Sequence, residues 1–171
     1  GGFDPGAVGS SGLTEKEVNL KIALEVQKIL EKSFNNIIMT RETDRFISLR
    51  RRAEIANKNE ADLFFSIHNN ASTKNHSRGT ETFIAPDKDG KSISLARNLQ
   101  NELIKGINLA NRGIKKDNLY VVKYTDMPAA LVEVAFLSNA REEKLLSRNS
   151  FIKKAAEAIA SGILKFIKEE P

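Results

Sequence analysis

Apolar positions recur along the chain with two periods, and the elements they predict alternate between helices and strands. From 14 to about 32, Val18, Ile22, Val26 and Leu30 lie four residues apart, which predicts a helix with one buried face. Thr14 and Glu17 have the spacing of a capping box at its start. Short apolar runs predict five strands, at 34–40, 62–67, 80–85, 119–122 and 130–136. Further helices are predicted after Ser48, over 92–105, near 140–148 and from Ser150 onward.

This alternation predicts an α/β fold. We expect a single domain over 1–171 with a mixed, mostly parallel sheet of about five or six strands, flanked by helices on both faces. The basic stretch 108–118 is expected to be an irregular connection. The chain begins with a Gly-rich loop and a helix, whereas a sheet of this kind ordinarily feeds such a loop from a strand, so we expect the domain to be incomplete at its N-terminus.

Composition and charge narrow the function classes. The chain has 27 basic and 22 acidic residues, and its net charge of +5 favours polyanionic surroundings. Most basic residues are dispersed and there is no Trp, so nucleic acid is not an expected partner. No apolar run is long enough for a membrane span. The absence of cysteine excludes disulfides, thiolate metal sites and Cys nucleophiles.

Two residues stand out as candidates for chemistry. His68 follows the buried run at 62–67, where α/β sheets place their ligands, although it could equally close the strand with a backbone hydrogen bond. Glu133 is the only charge in the nine-residue run 129–137. A buried carboxylate needs a cation, a metal or a raised pKa. A salt bridge to a basic residue such as Arg112 would be a purely structural explanation.

A metal site is a third possibility. Zinc in hydrolases commonly has three N or O protein ligands and an open position for water. Glu17 is explained by the capping box, so Glu15 is the better ligand, and together with His68 it makes part of a zinc site. His76 lies in a polar loop and is expected to be solvated.

Several motifs, in order along nearly the whole chain, resemble the zinc-dependent N-acetylmuramoyl-L-alanine amidases known as amidase-3. The matching stretches are 1–7, 12–20, 40–41, 48–49 with Arg52, 56–57, 66–71, 79–82, 111–113 and 128–139. The resemblance implies hydrolysis of the amide between N-acetylmuramic acid and L-alanine of the peptidoglycan stem peptide by zinc-activated water. It further implies Glu15 and His68 as zinc ligands and Glu133 as the general acid/base.

Two departures from the family pattern bear on this expectation. The family's first motif ends in His-Gly-Gly, and this chain begins at the two glycines, so the resemblance places a third ligand, a histidine, just before Gly1. Ala135 stands where the family usually has glycine. With two ligands, an inert wall-binding module on the same fold is an alternative, and so is a zinc peptidase that cuts within the stem peptide. We expect a monomer that acts outside the cytoplasm, secreted or associated with the wall or periplasm.

Overall fold

The computed structural model describes residues 1–74, 76–88 and 90–170, which form six helices and four strands. The helices are α1 (Glu15–Leu30), α2 (Leu49–Lys58), α3 (Gly90–Ile107), α4 (Tyr120–Lys123), α5 (Ala140–Leu146) and α6 (Asn149–Glu169). The strands are β1 (Phe64–Asn70), β2 (Thr80–Ile84), β3 (Asn111–Lys116) and β4 (Ala129–Phe136).

The strands form one mixed sheet in the order β1-β4-β2-β3. The pairs β1–β4 and β2–β3 are parallel, and β4 and β2 are antiparallel. The predicted α/β class and mixed sheet are therefore confirmed, but the described residues contribute four strands instead of five or six.

Helices cover both faces of the sheet, each over its own apolar core. Helices α1, α3 and α6 pack on one face, where the main core includes Ala130, Val132 and Val134 of β4. Helices α2 and α4 pack on the other face, where Ala129 and Leu131 contribute to a smaller core. Because alternate residues of a strand point to opposite faces, β4 is buried on both sides.

The predicted strand at 34–40 is absent. In this segment Thr40 accepts a hydrogen bond from Arg52 (2.9 Å), and the neighbouring Arg41 donates to the carbonyl of Lys16 (2.6 Å). A cavity of about 920 Å³ lies between this segment, α1 and β1. Among the described residues no strand lies beside the backbone of the segment. An apolar run becomes a strand only when it has a ladder partner.

Two further predictions were wrong in the 108–123 region. The expected irregular connection contains β3, which pairs with β2 although its side chains are mostly polar and exposed. The expected strand at 119–122 is the short helix α4, because burying Val121 and Val122 side by side against α2 suits a helical turn. Helix α6 also begins earlier than predicted, with Arg148 instead of Ser150 at its N-cap.

The predicted starts of α1 and α2 agree with the structure, whereas α3 begins at Gly90 instead of Ser92. Thr14 is the N-cap of α1, but its hydroxyl donates to the carboxylate of Glu17 (2.8 Å) instead of capping the backbone. Ser48 caps α2 by accepting from the N–H of Arg51 (3.2 Å). None of the helices among the described residues is both long and apolar enough to cross a membrane.

Glu142 of α5 joins the start of β2 to the end of β4. Its side chain is buried, and its two oxygens accept hydrogen bonds from the backbone N–H groups of Gly79 and Phe136, both at 2.7 Å. A carboxylate can serve both donors, whereas an amide has only one acceptor oxygen. Glu142 therefore fixes the edge of the sheet at which the polar side chains gather.

We expect Glu142→Gln to lower the free energy of unfolding by about 2 kcal/mol, because one buried N–H then faces an amide group that cannot accept. The melting temperature should fall by about 4–8 °C. The exposed Glu157→Gln on α6 is the matched control and should melt like the parent chain. Equal melting of both variants in thermal denaturation would contradict this role.

Candidate active site

Three ionisable side chains form a row across the sheet near the carboxyl end of β1. His68 is the register partner of Glu133, and Glu133 is the register partner of Glu81. Directly opposed residues project to the same face of a sheet. The sequence predicted His68 just beyond the strand, but β1 continues to Asn70 and His68 lies within it.

Glu15, in the first turn of α1, reaches this row and contacts His68. His68 Nδ1 lies 2.8 Å from Glu15 Oε1, and the other oxygen, Oε2, accepts from the N–H of Ala7 (2.9 Å). Gly6 adopts a left-handed φ of +67°, and a Cβ there would lie 2.5 Å from Glu15 Oε2. The glycine thus permits the N-terminal loop to close over the carboxylate.

Opposite effects set the pKa values of this pair. Burial alone would raise the pKa of Glu15, but hydrogen bonds from His68, Ala7 and Asn19, together with the His68 charge, lower it to about 2. Burial lowers the pKa of His68, yet the hydrogen bond to Glu15 and the charge of Glu133 leave it above its ordinary value. Glu15 is therefore ionised at neutral pH.

Glu133 is in the reverse situation. Burial raises its pKa to about 8; the charges of Glu15 and Glu81 act in the same direction, and His68 acts against them. Its Oε2 atom is buried and has no hydrogen-bond partner in the described part of the chain. Such a carboxyl group exchanges a proton near neutral pH, which is the property of a general acid/base.

The residues present fit part of a zinc site. Glu15 Oε1 and His68 Nδ1, which lie 2.8 Å apart, are the carboxylate oxygen and imidazole nitrogen that zinc takes as ligands. The unpartnered oxygen of Glu133 is a neighbouring acceptor. Within 1–74, 76–88 and 90–170, no third His, Cys, Asp or Glu completes the set.

The other sequence candidates lie elsewhere. His76 is exposed and lines a separate depression with Arg78 and Glu142. Glu17 is exposed on α1 and bonds only to Thr14 among the described residues. Ala135 is fully buried in the main core.

Sequence reasoning missed the cluster beside Glu133. Glu81, only 3% exposed, accepts from Asn70 Nδ2 and Arg112 Nε, both at 2.6 Å, and from Lys115 Nζ. Arg112 therefore pairs with Glu81, whereas the structural explanation given above would pair it with Glu133. In the sequence Glu81 stands between the polar residues Thr80 and Thr82, which gave no sign of burial, so only the register with β4 could have revealed the cluster.

Comparison with known proteins identifies the relatives of this chain. Residues 1–165 match the family model described as N-acetylmuramoyl-L-alanine amidase. The chain is 38% identical to YqiI of Bacillus subtilis, covering 95% of this chain and 79% of that protein. It is 38% identical to the amidase LytC of the same organism, covering 98% of this chain and 34% of LytC. The crystal structure of an N-acetylmuramoyl-L-alanine amidase from Clostridium difficile 630 superposes with a TM-score of 0.96, 32% identity and coverage of 100% and 94%.

The burial of Glu133 predicts a pH-dependent cost to stability. The pKa of Glu133 is about 8 in the folded chain and 4.5 ordinarily, so the folded state holds this proton more tightly than the unfolded state does. The resulting contribution to the free energy of unfolding is complete below pH 4.5 and is lost as the pH rises through 8. We expect Glu133→Gln to melt at least about 2–4 °C above the parent at pH 8.5, and the gap to close near pH 4.5. Thermal melts in chelator, with Glu157→Gln as control, check this. A gap that is constant with pH would contradict it.

Proposed function

The chain belongs to the N-acetylmuramoyl-L-alanine amidase family, and on that premise we propose that it hydrolyses the amide between N-acetylmuramic acid and L-alanine of peptidoglycan. The observation that carries the proposal is the buried Oε2 atom of Glu133, unpartnered among the described residues, beside the contacting pair Glu15 and His68. The chain spans about a third of LytC. What the whole protein acts on is therefore part of the proposal.

Zinc is the metal that we propose for this site, with Glu15 and His68 as two of its ligands. By the resemblance the third ligand would be a histidine that precedes Gly1, and Gly1 lines the same cavity as Glu15 and His68. When bound, zinc would lower the pKa of a water ligand and polarise the scissile carbonyl. Asn19 donates to Glu15 Oε1 (3.0 Å), and the N–H of Ala7 donates to Oε2 (2.9 Å), so the carboxylate is oriented before any metal arrives.

Glu133 moves the proton in this proposal. With its pKa near neutrality, its carboxylate takes a proton from the attacking water and returns it to the nitrogen of L-alanine as the amide bond breaks. Among the described residues no hydrogen bond to Oε2 competes with this exchange. Peptidoglycan lies outside the cytoplasmic membrane, so we infer an extracytoplasmic site of action.

For activity, we expect Glu133→Gln to reduce the rate of hydrolysis by about 10²–10⁴-fold while zinc binding is retained, because the amide keeps the shape and loses the proton transfer. The assay is mass spectrometry of muropeptides treated with the zinc-supplemented chain. An amidase releases a peptide with an intact N-terminal L-alanine. Cleavage inside the peptide would identify a peptidase, and binding of sacculi without cleavage would identify an inert wall-binding module.

For the metal, we expect Glu15→Gln and His68→Ala each to weaken zinc binding at least about tenfold, because each removes a ligand. Glu17→Gln, two residues from Glu15 on the exposed side of α1, is the matched control and should bind like the parent. Titration with zinc, together with metal content measured by mass spectrometry, checks this. A Glu17→Gln variant as weak as Glu15→Gln would contradict the assignment.

A further inference from the structure

Two basic side chains lie at the β3 side of the row that contains Glu133. Arg112 and Lys115 both pair with Glu81, and their side chains remain 34% and 40% exposed, whereas that of Glu81 is 4% exposed. No other carboxylate of the described residues pairs with either cation. Two cations and one carboxylate leave one positive charge facing solvent.

A bulge in β3 brings these two cations to one face. Residues three apart in a regular strand point to opposite faces. The pairing shifts by one residue between Thr80–Asn111 and Thr82–Ile114, and Gly113 adopts a φ of +77° within the shift. Bulges of this kind re-aim side chains next to active sites. Here the extra residue places both Arg112 and Lys115 over Glu81.

The cluster is held in place before any ligand arrives. The guanidinium of Arg112 lies 4.9 Å from the centre of the Phe136 ring, and Arg112 Nε donates to Glu81 (2.6 Å). Asn70 holds the second oxygen of Glu81 from across β4 (2.6 Å). Side chains fixed in this way lose little conformational freedom when they bind an anion.

We propose that Arg112 and Lys115 form a subsite for a carboxylate of the stem peptide, close to its L-alanine end. This inference rests on the proposed amidase function. The carboxyl group of muramic acid is consumed in the scissile amide, so the charged groups next to the reaction lie on the peptide side. Arg112 and Lys115 contact Glu81, the register partner of Glu133 on the adjacent strand, so their charges lie about one strand spacing, roughly 5 Å, from the position of Glu133. An extended peptide covers that distance in about two residues, which reaches the glutamate that follows L-alanine. In this proposal the peptide crosses β2 towards β3.

The test compares two peptides that differ in one group. Both are L-alanyl-γ-D-glutamyl-L-lysine amide, one with the free α-carboxylate on glutamate and one with a carboxamide there. Binding is measured by calorimetry with the chain in chelator and again with zinc. We expect the carboxylate peptide to bind about tenfold or more tightly than the carboxamide, because hydrogen bonds to a charged group are the stronger kind.

The variants locate the effect. Lys115→Gln should remove the preference for the carboxylate, and Lys115→Arg should restore most of it. Lys116→Gln, at the adjacent exposed position of β3, is the matched control and should keep the full preference. Equal binding of the two peptides by the parent, no measurable binding of the carboxylate peptide at millimolar concentration, or a preference that survives Lys115→Gln would overturn the proposal.

The binding measurement separates this inference from the function on which it rests. Carboxylate preference without cleavage of muropeptides would leave the subsite standing and reject the amidase. Cleavage at the lactyl–alanine bond without carboxylate preference would reject the subsite alone.

Discussion

A carboxylate oxygen that is buried without a hydrogen-bond partner is costly for a folded chain to hold, and among the described residues Oε2 of Glu133 is such an atom. The fold supplies partners to the carboxylates around it. Glu15 has His68, Glu81 has two cations, and Glu142 has two backbone N–H groups. Partners for carboxylates are therefore present in this region, yet none among the described residues bonds to Oε2 of Glu133. The cost is accommodated as a raised pKa, which is also the chemical property that a proton carrier needs.

Irregularities in the sheet arrange the polar groups around this residue. Besides the bulge at Gly113, the pairing of β1 with β4 shifts between His68–Glu133 and Asn70–Phe136, with the extra residue in β4. Both shifts lie at the same end of the sheet. At the shift between β1 and β4, the side chain of Asn70 on β1 reaches across β4 and donates a hydrogen bond to Glu81 on β2. In a regular ladder successive side chains would point to opposite faces of the sheet. These two shifts instead bring side chains from neighbouring strands together at one edge.

How much could be predicted from the sequence depends on where the information lies. Helix α1 was predictable because its buried face repeats apolar residues at the helical period. Strand β4 was predictable because burial on both faces makes it a nearly continuous apolar run. Strand β3 was not, because its polar residues gain strand geometry from pairing with β2. The prediction of a strand at 34–40 was wrong for the reverse reason, because this segment has the composition of a strand but no pairing partner among the described residues. Glu133 could be singled out as the lone charge in an apolar run, but Glu81 acquires its significance only through register.

The three glutamates at this end of the sheet, Glu15, Glu133 and Glu81, differ in protonation. Glu15 and Glu81 have lowered pKa values, and Glu133, which faces Glu81 directly, has a raised one. Arg112 and Lys115 keep Glu81 ionised despite its burial, and the charge of Glu81 then adds to the proton affinity of Glu133. Salt screens such an effect less between buried groups than at the surface. The basic pair on β3 therefore acts in two directions: it presents positive charge to solvent, and it maintains beside Glu133 a negative charge that helps to hold the proton.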